Sequence, residues 1–201
     1  MKSNIMLSSA AALLVSVAGA NAMDYRPFVG ASMGLQGVVY SDSMKDLERV
    51  NGIDLPTDFF VFGIESGVRA GEYNQIYNGG LTLSATKTTY SKIQDKFTDT
   101  RLASADMFNI SATYDNYIRI SGDKANRIDL VLGAGLGAMA FHVDEDSNTQ
   151  WSFAPEIKAG MDFELTHNFT LSATARAIIP TRSGYEADLS YIVGGAVKYI
   201  F

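Results

Sequence analysis

From residue 25 onward, apolar and polar residues alternate with a period of two, which is typical of β-strands. The last segment shows this most clearly: every second residue from Leu189 to Phe201 is apolar or glycine, whereas Ser190 and Lys198 fall on the opposite face. The same alternation recurs in eight segments: 25–40, 59–73, 76–91, 107–120, 128–143, 151–165, 169–180 and 187–201. The pattern therefore predicts an all-β chain of eight strands.

The links between these segments alternate in length. Three are short: 74–75, 121–127 and 166–168. On the opposite side lie two long polar loops, 41–58 and 92–106, and two shorter links, 144–150 and 181–186. Such links join neighbouring antiparallel strands, and a closed barrel removes the exposed edges of the resulting sheet. We expect an up-and-down barrel, with one or two helical turns at 44–50 in the first long link.

The first residues have the features of an export signal. Lys2 supplies a positive charge, residues 10–17 form a short apolar run, and Ala20-Asn21-Ala22 matches the small-residue cleavage pattern. The run is too short to span a hydrocarbon layer of about 30 Å. The sequence therefore predicts a signal peptide at 1–22, export from the cytoplasm, and a barrel domain at 23–201.

Alternation alone does not say which face of the barrel points outward. A lipocalin-like periplasmic carrier has its apolar face inside, whereas a transmembrane barrel has it outside. The second face here is rich in glycine, aromatic residues gather at the segment ends, and the chain finishes on Phe201. These features favour an eight-stranded antiparallel up-and-down transmembrane β-barrel, with the lipocalin-like carrier as the alternative.

The charged residues of the second face nearly balance, as expected if they pair inside a narrow lumen. They are Glu65, Asp115, Asp129, Glu156, Asp162 and Glu164 against Arg69, Arg119, Lys158, Arg176 and Lys198. An unpaired buried charge is costly, and an eight-stranded barrel is only wide enough for its own side chains. We interpret them as a structural network that blocks the lumen; a small ion channel is the alternative.

These features resemble the small outer-membrane β-barrel family of Gram-negative bacteria, of the OmpA transmembrane type. The chain ends in an alternating aromatic and apolar pattern formed by Tyr191, Val193, Val197, Tyr199 and Phe201. The resemblance implies that this ending is the signal for the barrel-assembly machinery. It further implies an outer-membrane location among outer-membrane lipid and lipopolysaccharide. Since the sequence ends at the barrel, we expect an OmpA-like barrel without the peptidoglycan-binding domain.

Candidate chemistry is sparse, so we expect no enzyme and no cofactor. A lipid A-modifying enzyme remains the alternative, with His142 beside Asp144 as a base and Ser152 or Ser183 as a nucleophile. The acidic stretch 144–150 does not match a calcium loop, because the position that needs glutamate is Pro155. Loose divalent-cation binding there stays open, and no metal ligand is assigned.

Composition narrows the partners. The formal charge of −6 and the pI near 4.8 argue against nucleic acid, because phosphate binding needs a basic surface. The chain has no cysteine, hence no disulfide and no thiol nucleophile. Since rigid barrels often carry function on loops, we expect a structural or surface protein that presents 41–58 and 92–106. Its role would be envelope integrity or adhesion to a host or surface ligand.

Overall fold

The computed structural model describes residues 24–55, 57–72, 75–88, 91–95, 101–122, 126–143, 149–182 and 187–201. The predicted signal peptide, with Ala20 and Ala22, lies outside the described residues. So do Ser183 and the stretch 144–148 of the acidic link.

Eight long strands carry the fold, and they coincide with the eight alternating segments. They are β1 (Tyr25–Tyr40), β3 (Asp58–Ala70), β4 (Tyr77–Thr88), β6 (Arg101–Ser121), β7 (Ile128–Val143), β8 (Gln150–Glu164), β9 (Phe169–Ile178) and β10 (Ala187–Ile200). Three short elements accompany them: helix α1 (Asp42–Asn51) and strands β2 (Ile53–Asp54) and β5 (Ser91–Asp95).

The long strands form a closed antiparallel barrel. Each pairs with the next in chain order, and β1 pairs with β10 to close the sheet, with Phe28 opposite Ile200. This confirms the predicted eight-stranded up-and-down barrel. We call the end that carries 71–76, 122–127 and 165–168 the short-turn end. The opposite end, where β1 leads into α1 and β4 into β5, is the long-loop end.

The apolar face of each strand points outward. Leu35, Ile157 and Val193 are 56–59% exposed on the outer wall, whereas Lys198 on the inner face is 4% exposed. Outward apolar side chains over the barrel wall are what a lipid-facing barrel requires. The facing excludes the lipocalin-like alternative, which needs an apolar interior surface open to a ligand.

Aromatic rings meet on the outer wall near both ends of the barrel. At the long-loop end, Phe60 lies 4.8 Å from Phe62 and Phe108 lies 6.5 Å from Trp151, measured between ring centroids. At the short-turn end, Tyr199 contacts two further rings: Phe169 at 5.3 Å and Phe201 at 5.1 Å. Such rings suit the boundary between hydrocarbon and head groups.

The predicted helical turns at 44–50 belong to the ten-residue helix α1. The helix ends at Gly52, whose φ of 65° is left-handed and therefore suits glycine. β2 follows directly and pairs with β5, and β5 pairs with the start of β6. We call residues 42–55 together with 91–95 and 101–105 the rim cap. No helix in the described part of the chain is long and apolar enough to cross a membrane.

Candidate functional site

The lumen is filled by ion pairs in its short-turn half. Five side chains form one connected group: Arg26 lies 3.3 Å from Glu164, Glu164 lies 3.0 Å from Arg69, and Arg69 also contacts Asp129. Arg127 completes it, with its Nε 2.8 Å from Asp129. All except Arg26 are almost wholly buried. Three guanidinium groups thus share two carboxylates.

Two separate lysine–aspartate pairs lie beside that group. Lys158 pairs with Asp115, which also accepts a 2.6 Å hydrogen bond from Thr82 Oγ1. Lys198 lies 3.2 Å from Asp162. Each pair brings its own counter-charge into the lumen, so neither leaves an isolated ion there.

A third arrangement places one cation between two acids. Arg176 lies 3.6 Å from Glu65 and 3.7 Å from Glu156, and it donates a 2.9 Å hydrogen bond to Ser84 Oγ. These side chains are at least nine-tenths buried. Removal of the Arg176 charge would therefore leave two buried carboxylates without their cation.

Ten of the eleven charged residues predicted from sequence lie buried in the lumen. Arg119 is only partly buried, and none of the described ion pairs includes it, so the structure does not bring it into the network. It sits near the end of β6, where the register shifts before Ser121. The sequence analysis missed Arg26 and Arg127. Arg127 belonged to a predicted link, although Asp129, two residues onward, shares its strand face.

The long-loop half of the lumen is apolar, which the sequence analysis did not predict. Phe59, Val61, Met107, Met139 and Phe141 are all at most 2% exposed there. They belong to one buried cluster that continues into the rim cap. Gln36 crosses this level and donates a 2.7 Å hydrogen bond to Ser190 Oγ.

The rim cap closes the barrel over this cluster. Leu55 and Ile93 are each 8% exposed and belong to the same cluster, and Met44 and Ile53 pack against it. The lumen is therefore filled at two levels by different means: ion pairs towards the short turns and apolar side chains towards the long loops.

Of the candidate catalytic residues, the structure describes His142 and Ser152, and their described hydrogen bonds go to other groups. His142 Nδ1 lies 3.2 Å from Thr149 Oγ1 on the outer side of the rim. Ser152 is buried, accepts hydrogen bonds from the backbone N–H groups of Thr181 and Arg182, and donates one to the carbonyl of Phe153, all at 3.0 Å. Its hydroxyl is thus committed to the backbone. Ser183 lies outside the described residues.

The remaining predicted sites are positioned as follows. Tyr191, Val193, Val197, Tyr199 and Phe201 all lie on the outer face and are 41–67% exposed. Their role as an assembly signal stays a prediction. Among the described residues, no group of three or more His, Asp or Glu side chains could hold a metal ion.

Comparison with known proteins places the chain in a family. Residues 10–201 match the model of the outer membrane protein beta-barrel domain. The solved structure of Neisserial surface protein A (NspA) is similar, with a TM-score of 0.58 at 14% identity, covering 90% of this chain and 100% of that one.

Two further structures are similar at lower scores. The N-terminal barrel domain of Pseudomonas aeruginosa OprF has a TM-score of 0.49 at 15% identity, covering 87% of this chain and 97% of its own. Ail, the attachment invasion locus protein of Yersinia pestis, has a TM-score of 0.47 at 19% identity, covering 88% and 97%. Comparison with curated protein sequences finds no match. The family match over almost the whole chain, together with the closed eight-stranded barrel, shows that this chain belongs to the outer membrane protein beta-barrel domain family.

Proposed function

We propose that this protein is a sealed, non-enzymatic outer-membrane barrel that presents its rim cap at the cell surface, where the cap contacts a host or surface ligand. The observation that carries the proposal is the filling of the lumen at two levels, by ion pairs and by the apolar cluster. A filled barrel offers no path through its centre. The rim cap is then the part available for interaction.

The outer face of α1 fits such a role. Asp42, Lys45, Asp46 and Arg49 are exposed, and their two ion pairs span single helical turns at 3.5 and 3.0 Å. Exposed pairs of this kind contribute little to stability. Val50 is 74% exposed beside them. These charges and this apolar side chain are accessible to a partner at little cost to the fold.

The proposal includes the route and the surroundings of the barrel. The N-terminal segment directs export, the barrel-assembly machinery recognises the C-terminal strand, and the outward apolar wall contacts lipid and lipopolysaccharide. The long-loop end faces the outside of the cell. The two alternatives have less support, because Ser152 is committed to the backbone and the lumen is filled.

The experiment compares bacteria that lack the protein with bacteria that express either the natural chain or a variant whose residues 42–54 are replaced by a Gly-Ser segment of equal length. Attachment is measured on an epithelial-cell monolayer and on polystyrene. We expect the natural chain to raise attachment and the variant to fall to the level of the strain without the protein. A heat-dependent gel shift of the variant shows that its barrel has folded.

Two results would contradict the proposal. If the variant supports attachment as well as the natural chain, the rim cap is not the interacting part. If neither chain changes attachment, but both restore resistance to detergent in the strain that lacks the protein, the barrel serves envelope integrity instead.

A further inference from the structure

A groove lies on the outer wall of the barrel, over strands β7–β10. Its volume is about 730 Å³, within the range of roughly 300–1,000 Å³ that small-molecule sites occupy. Three outward-pointing alanines form its floor: Ala159, Ala175 and Ala177. The larger side chains that flank these alanines are Leu132, Ile157, Tyr191 and Val193. We call this depression the wall groove.

The register of the strands explains why the wall is concave here. Leu132 on β7 lies opposite Ala159 on β8, Ala159 lies opposite Ala175 on β9, and Ala175 lies opposite Val193 on β10. One row around the barrel thus has a large side chain at each end and two alanines between them. The next outward residue of β9 is Ala177, which extends the low surface along the strand.

Two tyrosine rings at the sides of the wall groove lean away from it. A Cβ atom at Gly37 on β1 would overlap the ring of Tyr191, and a Cβ atom at Gly79 on β4 would overlap the hydroxyl of Tyr114. Each ring therefore lies over a neighbouring strand outside β7–β9. Because both glycines accept a ring above them, the alanine floor between the two tyrosines stays uncovered by the protein's own side chains.

A polar side chain stands at the edge of the wall groove. Asn116 on β6 lies opposite Leu132, points outward and is exposed. Ile120, which is 55% exposed, follows it towards the short-turn end, so Asn116 lies within the apolar wall and not beyond it. None of the described hydrogen bonds includes the Asn116 amide. An amide facing hydrocarbon without a partner is costly, so the partner has to come from the surroundings of the barrel.

A phospholipid supplies both the apolar chain and the hydrogen-bond acceptor that this surface lacks. Its ester carbonyl groups lie between the acyl chains and the head group, and an amide N–H can donate to a carbonyl oxygen. The wall groove is continuous with the lipid-facing wall, so a lipid reaches it directly from the bilayer. Inside a membrane, association depends on close packing and hydrogen bonds. A groove with a donor at its edge therefore holds a lipid better than a flat apolar wall does.

We propose that the wall groove binds an acyl chain of one diacyl phospholipid from the periplasmic leaflet, and that Asn116 donates a hydrogen bond to an ester carbonyl of that lipid. Asn116 lies towards the short-turn end, so the head group points to that end and the chain runs over the alanine floor. The choice of leaflet rests on the proposed function, which places the long-loop end outside the cell. Binding in the groove does not depend on that orientation.

The test is native mass spectrometry of the detergent-refolded protein, titrated with palmitoyl-oleoyl phosphatidylethanolamine or with its ether-linked analogue, which has no ester carbonyls. We expect one molecule of the ester lipid to be retained at a lower concentration than any further molecule. The ether lipid should be retained severalfold less, because it offers no carbonyl oxygen to Asn116. Equal retention of the two lipids would overturn the proposal.

The matched variants are Ala175→Phe and Ala85→Phe. Ala175 belongs to the groove floor, whereas Ala85 lies on β4, across the closed barrel from β9. We expect A175F to lower lipid retention severalfold and A85F to leave it unchanged. Asn116→Leu should lower retention of the ester lipid to that of the ether lipid. A heat-dependent gel shift shows that each variant has folded. Equal loss in A175F and A85F would contradict a specific groove.

The same spectra distinguish other occupants. If purified lipid A is retained more tightly than phosphatidylethanolamine and A175F abolishes its retention, the groove takes the glycolipid of the outer leaflet and the proposal fails. If the lipid-free natural chain forms dimers that A175F removes, the occupant is a second copy of the chain, and the proposal fails as well.

A separate measurement tests the orientation. The chain has no cysteine, and Lys45 is exposed on α1, so Lys45→Cys in intact cells can be labelled with a membrane-impermeant maleimide. We expect labelling. If the variant retains the phospholipid but is not labelled, the leaflet assignment and the proposed surface role are both wrong. If it is labelled but retains no phospholipid, the groove proposal alone is wrong.

Discussion

At the scale of single residues, the lumen keeps its buried charges in small groups that each contain opposite charges. Substitution of Arg176 should disturb this balance most, because Arg176 is the cation nearest to both Glu65 and Glu156. Arg119 is its opposite: a strand residue that is only partly buried and takes part in none of the described ion pairs. The two arginines therefore make a matched comparison.

We expect Arg176→Ala to lower the free energy of unfolding by about 3–5 kcal/mol, because it leaves uncompensated buried carboxylates. Arg119→Ala should change it by about 0.5 kcal/mol or less, as other surface substitutions do. Urea titration of the refolded proteins, followed by tryptophan fluorescence, measures both. Equal midpoints for the two variants would show that Arg176 has no special role.

The Lys158–Asp115 pair allows a second comparison. Lys158→Met alone should destabilise the barrel by about 3–5 kcal/mol, since it leaves the buried Asp115 carboxylate without its cation. Adding Asp115→Leu should recover much of that loss, because replacing a whole buried pair by apolar groups is often close to neutral. The same urea titration gives the coupling between the two substitutions. Strictly additive losses would mean that the two charges do not interact.

The alternation of residues along the strands was enough to assign ten charged residues to the lumen. It could not show which charged residues near the strand ends are buried. Arg119 has the parity of Asp115 and Tyr117, yet the register shift before Ser121 and the open barrel end leave it partly solvated. Arg127 looked like a link residue, because no alternation extends through 121–127. Its burial depends on the ion pair with Asp129, two residues onward, which strand alternation does not report because Arg127 precedes the first residue of β7.

At the scale of elements, the strands were predictable and the rim cap mostly was not. Long alternating segments and contrasting link lengths determine an up-and-down sheet. β2 has only two residues and β5 only five, which is too short for alternation to show. Their pairing joins residues about 40 positions apart, Ile53 with Asp95. The sequence predicted only one or two helical turns at 44–50, whereas the helix spans Asp42–Asn51.

The rim cap should detach before the barrel unfolds. Leu55→Asp puts a charge into the apolar cluster at a residue that is 8% exposed, and burying an unpaired charge is unfavourable. We expect faster amide hydrogen exchange in 42–55 and 91–95, with exchange in β7–β10 unchanged. Val50→Asp is the control, because Val50 is largely exposed and should tolerate the charge. Faster exchange throughout the barrel in L55D would show that cap and barrel unfold as one unit.

At the scale of the whole molecule, the barrel is closed by two physically different fillings. The ion pairs could be predicted from the alternation of polar and apolar residues, whereas the apolar filling could not. In the stretch Phe59-Phe60-Val61-Phe62, both strand faces are apolar, so Phe59 inside and Phe60 outside cannot be told apart by hydropathy. Only closure of the barrel and the rim cap above it show that the inner set forms a buried core.

Two fillings in series predict how the barrel behaves in planar-bilayer recordings. The natural chain should give no discrete conductance steps. Removing the apolar filling with Phe59→Ala and Phe141→Ala should cost about 3–5 kcal/mol for each ring, through lost burial and the cavity left behind. It should still give no steps, because the arginine group and the lysine pairs block the short-turn half.

These recordings show whether the apolar filling alone, or both fillings together, seal the lumen. Steps in the double alanine variant alone would mean that the apolar filling is the only seal, and that the ion pairs yield to an applied voltage. Steps in the natural chain would contradict the sealed barrel itself, and the channel alternative would then replace the surface role. Since the two layers are held by different forces, high salt should weaken only the ionic one at its partly solvated end. The filled lumen therefore requires that the natural chain gives no conductance steps at either low or high salt.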